Sequence, residues 1–248
     1  MKSIYLSPSK QPNNLFYDKK TTEEFAMNKV TDNLVEFLKG FEVKVIRGGK
    51  TVAIDKRIVE ANKLQPDFYL SIHSNAGGGR GCETYYQVGS NHRQDVRNES
   101  LRFAQKINSD FAKITTTNDR DGDRGIKWKR LADGRDWNME LRGVTVTANL
   151  IEVEFHDTKA GGDWIRANYK LIGETIGKSL VELLGLKKIV KPVPKPEPGD
   201  IFYFVQTGAY KTLKEAEDAA KKINAITKEE VGIKHGDKNS LKWIKGIK

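Results

Sequence analysis

Two hydrophobic periods take turns along the first three-quarters of this chain. Short apolar runs are separated by stretches whose apolar residues recur every three or four positions. KSIYLSP predicts a strand that ends at Pro8, and TTEEFAMNKVTDNLVEFLKGF predicts a helix with Val30, Leu34 and Leu38 on one face. Thr21 or Thr22 is its N-cap candidate. EVKVIRG reads as a strand, AIDKRIVEANKL as a helix, and DFYLSIHSN as a central, largely apolar strand. CETYYQVG follows as another strand, then a helix over about 95–113 with Phe103, Ile107 and Phe111 four apart. TANLIEVEF is the last strong strand, and WIRANYKLIGETIGKSLVELLGL predicts one long closing helix. This alternation predicts an α/β fold: a mostly parallel, twisted sheet with helices on both faces. In such sheets ligands bind beyond the carboxyl ends of the strands.

The pattern stops at LKKIVKPVPKPEPGD, where four of the seven prolines fall at Pro192, Pro194, Pro196 and Pro198. Prolines this close make an extended spacer with no packed structure. The expected organisation is a main domain at 1–186, a Pro/Lys-rich linker at 187–199 and a small α+β tail at 200–248. Hydrophobic residues make up 38% and charged residues 31%, which permits a folded, water-soluble core. There is no apolar run long enough for a membrane span, and MKSIYLSPSKQ lacks the apolar core of a signal peptide. The expectation is accumulation in the cytoplasm and no membrane partner. The single cysteine, Cys82, excludes an internal disulfide and a Cys-cluster metal site, and its place in GGRGCETYY predicts a buried structural role at a strand start. Net charge is +10, which favours anionic partners. The lysines carry no nucleic-acid fingerprint, so nucleic acid is not an expected partner.

Four histidines are present, and one of them, in SIHSNAGGG, lies where the central strand empties into a Gly-rich turn. His73 therefore belongs at the cleft. Glu152, Glu154 and His156 close the last strand, and their period-two spacing puts all three on one face if the strand persists to 156. With Glu23 or Glu24 on the first helix, these residues could supply the nitrogen and oxygen donors of a catalytic zinc, which keeps one position open for water. A nearby carboxylate that is not a ligand would then move the proton. The plainer alternative is a sheet edge bearing solvated acids and a capping histidine.

In order along the chain, IYLSPS, the helix piece EFAMN, RIVEAN, FYLSIHSNA, RGCETYY and LIEVEFHD resemble the zinc-dependent N-acetylmuramoyl-L-alanine amidases, the family often called amidase 3. The resemblance covers about residues 2–186. It implies a mostly parallel six-stranded sheet, one zinc ion, and hydrolysis of the amide joining muramic acid to the stem peptide. Carried over position by position, Glu24 matches the helix ligand because Asn28 follows at the right interval, His73 matches the histidine ligand, and Glu152 matches the glutamate that assists the zinc-bound water. Glu23 is the neighbouring alternative to Glu24, with solvated helix surface as its expected state. Asn75 and Arg57 match positions that shape the site.

One departure stands out. The family's Gly-His-Gly-Gly turn after the first strand, whose histidine is a ligand, is replaced by SPSKQPNN. Lys10 and Gln11 lie near the missing histidine. An ammonium is a poor ligand, whereas the Gln11 amide oxygen is a weak one. His156 is the other candidate, so the expected zinc set is Glu24, His73 and one of His156 or Gln11. His92 is expected to be exposed in a polar loop. The segment 117–130, TNDRDGDRGIKWKR, lacks the closing glutamate of an EF-hand and is read as a substrate-side loop.

The tail, FYFVQTGAYKTLKEAEDAAKKINAI, resembles the start of a SPOR (sporulation-related) repeat, whose family binds peptidoglycan glycan strands. At about 49 residues it is shorter than that family's two βαβ units. The expected partners are peptidoglycan, with its glycan strands and stem peptides, and, as a further candidate, anionic wall polymers. The resemblance combined with the missing signal peptide points to a phage or prophage endolysin that acts on the wall after release. The rivals are a host autolysin or spore-cortex amidase, and a non-catalytic wall-binding protein whose site decayed when the first histidine was lost.

Overall fold

A computed structural model describes residues 1–115 and 123–189, and in the C-terminal segment positions 214, 218, 233–235 and 242–244. The chain divides into two compact units, Met1–Lys191 and Pro192–Lys248. The first unit is built on six strands: β1 (Lys2–Pro8), β2 (Val43–Arg47), β3 (Phe68–Asn75), β4 (Cys82–Tyr86), β5 (Asp123–Lys127) and β6 (Ala148–Phe155). Its helices are α1 (Glu23–Leu38), α2 (Ile54–Leu64), α3 (Gln94–Phe111), α4 (Met139–Gly143), α5 (Lys159–Ala167) and α6 (Tyr169–Leu184). In the second unit, β7 (Ile233–His235) and β8 (Lys242–Ile244) pair antiparallel. The expected SPOR-like strand and helix at 202–223, and the DRDGD piece at 119–123, lie outside the described residues apart from isolated positions.

The sheet order is β2-β1-β3-β6-β4-β5. All neighbours run parallel except β4 against β6. From β1 the chain crosses outward to β2, then back past β1 to β3, so the order reverses between β1 and β3. A crevice opens at the carboxyl ends of two strands whose connections leave in opposite directions. Strand alternation splits the apolar residues into two cores. Ile4, Leu6, Leu70, Ile72, Ile151 and Val153 face α1, α3 and α6, whereas Tyr5, Tyr69, Ala148 and Leu150 face α2 and α4.

Three elements differ from the sequence pattern. The long closing helix breaks at Asn168, which leaves helical geometry (φ −125°, ψ 21°) while its side-chain amide donates to the Trp164 carbonyl at 2.8 Å. RGIK forms part of edge strand β5 instead of a loop. Helix α4 is a single turn, too short to print a helical period, and starts where the Asn138 side chain accepts from the backbone N–H groups of Glu140 and Leu141. Cys82 is buried at the start of β4, as expected.

Helix α6 packs against α1 through Gly173. A Cβ there would stand 2.8 Å from the Val30 carbonyl oxygen and 2.8 Å from the Leu34 nitrogen, both backbone atoms that cannot swing away. In an open helix Gly→Ala stabilises by about 1 kcal/mol. Here the sign should reverse: Gly173→Ala is expected to destabilise by about 1–3 kcal/mol, read as a lower urea midpoint at unchanged slope.

Candidate active site

The crevice is lined from three directions. His73 sits near the end of β3, in register with Glu152 of the neighbouring strand β6, and Glu152 is in turn paired with Glu83 of β4. Registered neighbours project to the same side of a sheet. Glu83, Glu152 and His73 therefore form a row across three strands. Alternation places Tyr69, Ser71 and His73 on one face of β3. From α4, Glu140 comes down onto this face and accepts from Ser7 Oγ at 2.5 Å, Tyr69 OH at 2.6 Å and Ser71 Oγ at 2.5 Å. His73 Nε2 lies 3.3 Å from Glu140 Oε2. From the start of α1, Glu23 Oε1 lies 2.8 Å from His73 Nδ1.

The imidazole is thus clamped between two buried carboxylates. Burial alone would pull the His73 pKa down, but the bonds to Glu140 and Glu23 win and hold it well above the ordinary histidine value. Burial would likewise raise Glu23 and Glu140, yet their bonds to His73 hold both below the usual carboxylate range. Glu152 goes the other way. Burial pushes it up to about 8, opposed by His73 and reinforced by the charges of Glu23, Glu83 and Glu140. Its Oε2 is sealed from solvent with no hydrogen-bond donor among the described residues.

The structure brings Glu23, and not Glu24, up against His73. Successive helix positions are about 100° apart, so only one of two adjacent residues can face His73. Glu23 is 1% exposed beside His73, which corrects its expected place on a solvated surface. The Glu24 carboxylate instead pairs with Lys10 Nζ at 2.8 Å. Asn14 Nδ2 donates to Glu23 Oε2 at 2.9 Å and also to Gln11 Oε1. The Gln11 amide nitrogen stands 3.3 Å from His73 Nδ1, so of the two candidates for the missing position only Gln11 reaches His73.

His156 is placed elsewhere. Strand β6 ends at Phe155, and an irregularity shifts its register against β3 between the His73 and Asn75 pairings. The period-two projection over 152, 154 and 156 therefore fails. Glu154 accepts from the backbone N–H groups of Gly81 and Phe155. His156 stacks on Phe16, with Nδ1 3.0 Å from both the Ser74 hydroxyl and the Ser74 carbonyl. His92 is also buried, with Nε2 3.1 Å from Asp136 Oδ2, where an exposed loop residue was expected.

Among the described residues no three His, Cys, Asp or Glu side chains are grouped to hold a metal ion. A metal here would need the Gln11 amide. In a neutral imidazole whose Nε2–H donates to Glu140, Glu23 Oε1 and His73 Nδ1 are both lone-pair atoms, and at 2.8 Å they need a proton or a cation between them. A carboxylate and an imidazole whose far nitrogen is held by a carboxylate are donors that fit zinc; the Gln11 amide, whose nitrogen faces His73 while its oxygen accepts from Asn14, would add an uncharged oxygen in place of an imidazole on turning over.

Residues 9–182 match the family model described as N-acetylmuramoyl-L-alanine amidase. The chain belongs to that family. A curated relative, an uncharacterised cell wall amidase of Bacillus anthracis, is 35% identical over 121 residues. That match takes in 47% of this chain and 21% of the relative. The catalytic domain of CwlV, an N-acetylmuramoyl-L-alanine amidase of Bacillus (Paenibacillus) polymyxa, superposes with a TM-score of 0.58 at 18% identity, covering 75% of this chain and all of that one. Cwp6 of Clostridium difficile gives 0.61 at 22% identity over 74% of this chain and 29% of its own. At these identities the structures establish the fold alone, and it is the expected α/β architecture.

Glu140 was not anticipated from the sequence. It is the anchor of this family member's site, and its removal can be checked by chemical unfolding. Glu140→Ala strands three hydroxyls and one ring nitrogen in a buried space and is expected to cost about 3–5 kcal/mol. Glu140→Gln retains one acceptor and should cost clearly less. Glu24→Gln, at a partly exposed pair, should stay within about 1 kcal/mol.

Proposed function

We propose that the first unit hydrolyses the amide between N-acetylmuramic acid and L-alanine in peptidoglycan, with zinc held by Glu23, His73 and the Gln11 amide oxygen. The observation that carries this reading is the Glu23–His73–Glu140 clamp standing in register beside a carboxyl poised near neutrality, on a chain of the amidase family. A bound divalent cation would supply Lewis acidity toward the amide carbonyl and an acidified water. By accepting from the His73 Nε2–H, Glu140 would leave the Nδ1 lone pair of the neutral imidazole facing Glu23 as a ligand atom. Asn14 holds both Glu23 and Gln11 in place. Glu152 is the proton carrier. Burial raises its carboxyl to about 8, and as the carboxylate that a bound cation would favour it would take a proton from the attacking water and return it to the leaving nitrogen of L-alanine.

The decayed-site reading draws on the lack of a third acidic or imidazole donor among the described residues. One experiment separates the two. Purified Gram-positive peptidoglycan is digested with the wild-type protein and with Glu152→Gln, and the products are read by mass spectrometry. Intact glycan strands and free stem peptides beginning at L-alanine are expected from wild type, with the rate about 10²–10⁴ lower in the variant. Zinc content is measured on the same samples together with Glu23→Gln and Glu24→Gln. The first of these should lose metal and the second should keep it. A wild-type protein that binds walls, holds no zinc and releases no peptide would establish the decayed site.

We assign wall attachment to residues 200–248, on their SPOR-like sequence and basic charge. Ending the chain at residue 189 should lower co-sedimentation with purified walls while preserving hydrolysis of soluble muramoyl peptides; equal sedimentation would rule this assignment out.

A further inference from the structure

An exposed indole stands beside Tyr85 of β4, and the chemistry above leaves it unused. Trp137 is 46% exposed. Its ring centroid lies 6.4 Å from that of Tyr85, whose hydroxyl donates to Glu83 Oε2 at 3.0 Å, and Glu83 is the strand partner of Glu152. A continuous path of contacts therefore joins the indole to the proposed proton carrier. On the other side, Trp137 directly precedes Asn138, the cap of the helix that brings Glu140 to His73.

The indole is displayed on a fixed backbone. The Trp137 backbone N–H donates to the Lys129 carbonyl at 2.9 Å, and Arg142 Nη1 donates to the Trp137 carbonyl at 2.8 Å and the Asp136 carbonyl at 2.9 Å. Asp136 is buried and accepts from the Val88 N–H at 2.8 Å. Holding a large apolar ring in water on a rigid support forgoes the stabilisation its burial would bring, and it leaves little ordering cost to meet when something binds.

Resting on the amidase reading, we propose that Trp137, with Tyr85 beside it and the mobile Lys129 ammonium over its ring, is a pyranose subsite that seats a sugar ring of the glycan strand next to the reacting amide. A pyranose presents C–H groups on its faces and hydroxyl or acetamide groups at its rim. The negative face of an indole attracts the polarised C–H groups. The exposed Lys129 ammonium lies over the indole, 4.9 Å from its centroid, and on its flexible stem it can swing aside to donate to the rim oxygens as a sugar takes its place. The apolar surface is one ring wide and edged by polar groups, which suits a sugar better than a protein partner. Trp128 is an internal control. The backbone pairing of Arg130 with Asp136 places Lys129 beside Trp137 and turns Trp128 to the opposite side. There Arg130, whose guanidinium also donates to the Val88 carbonyl, lies over the Trp128 ring.

The test uses the full-length chain and a β-1,4-linked N-acetylglucosamine tetramer, which contains no bond for an amidase to cut. Binding is followed by calorimetry and saturation-transfer NMR. Trp137→Ala is expected to lower tetramer affinity about tenfold, equivalent to about 1.4 kcal/mol. Trp137→Phe should keep most of the affinity, and Trp128→Ala all of it. On polymeric peptidoglycan, Trp137→Ala should raise KM by a similar factor with kcat nearly unchanged. Unaltered tetramer affinity in Trp137→Ala, or an equal loss in Trp128→Ala, overturns the subsite. Failure of the amidase reading looks different: the tetramer binds through Trp137, yet wild type releases no stem peptide from walls.

Discussion

Everything in the crevice depends on keeping one buried imidazole between two buried carboxylates. Glu140 and Glu23 each lie on a different ring nitrogen of His73, at 3.3 and 2.8 Å. A lone ionised carboxylate in such surroundings would be costly, and neither would remain charged by itself. The protein meets that cost with three hydroxyl donors on Glu140, an amide on Glu23 and the shared imidazole between them. Breaking any member exposes the rest to an unpaired burial, so the cluster behaves as a unit. It also ties together four separate pieces of chain: the ends of β1 and β3, the start of α1, and the single turn of α4.

A second buried charge supports the same corner from below. Arg57 is fully buried, and its Nη1 donates to the Pro8 carbonyl at 2.5 Å and approaches Ser7 Oγ at 3.3 Å. Its Nη2 donates to the Gly49 carbonyl at 2.9 Å. The fork of a guanidinium can reach two chain segments at once, which an ammonium cannot. Here it fixes the end of β1, from which the Lys10–Gln11 turn departs, against the loop after β2. Gly48 follows from the same contact, since a Cβ there would meet the Arg57 side chain at 2.7 Å. RIVEAN is therefore a structural signature of the site although none of its residues touches His73.

Period-two and period-3.6 patterns located most of the sheet and the long helices, because each buries one face against a core. They located His73 and Glu152 for the same reason: both stand at the ends of strongly patterned strands. Errors arose where local geometry breaks the period. Glu23 and Glu24 differ only by rotation about a helix whose start must be known to the residue, and the Thr22 cap settles it. His156 was misplaced by a register irregularity that leaves no trace in composition. Glu140 was missed because five residues of helix carry no period. Its signal was indirect: Ser7, Tyr69 and Ser71 put hydroxyls at inward positions of buried strands, and such a set calls for a common charged acceptor.

The charge balance of the corner argues for what it holds. Around His73 stand Glu23, Glu83, Glu140 and Glu152, while the chain as a whole carries +10. One imidazolium cannot balance four carboxylates, and the surplus falls on Glu152, which burial and its neighbours keep protonated to about pH 8. A protein that needed only a stable core would gain by replacing such a cluster with apolar side chains. Retaining it makes sense when something positive enters the space between Glu23 and His73. A divalent cation there would relieve the repulsion on Glu152 and bring its carboxyl back toward the neutral range, where it can both accept and return a proton. The same electrostatic surplus that makes the corner costly to fold would thus tune Glu152 if a cation filled it.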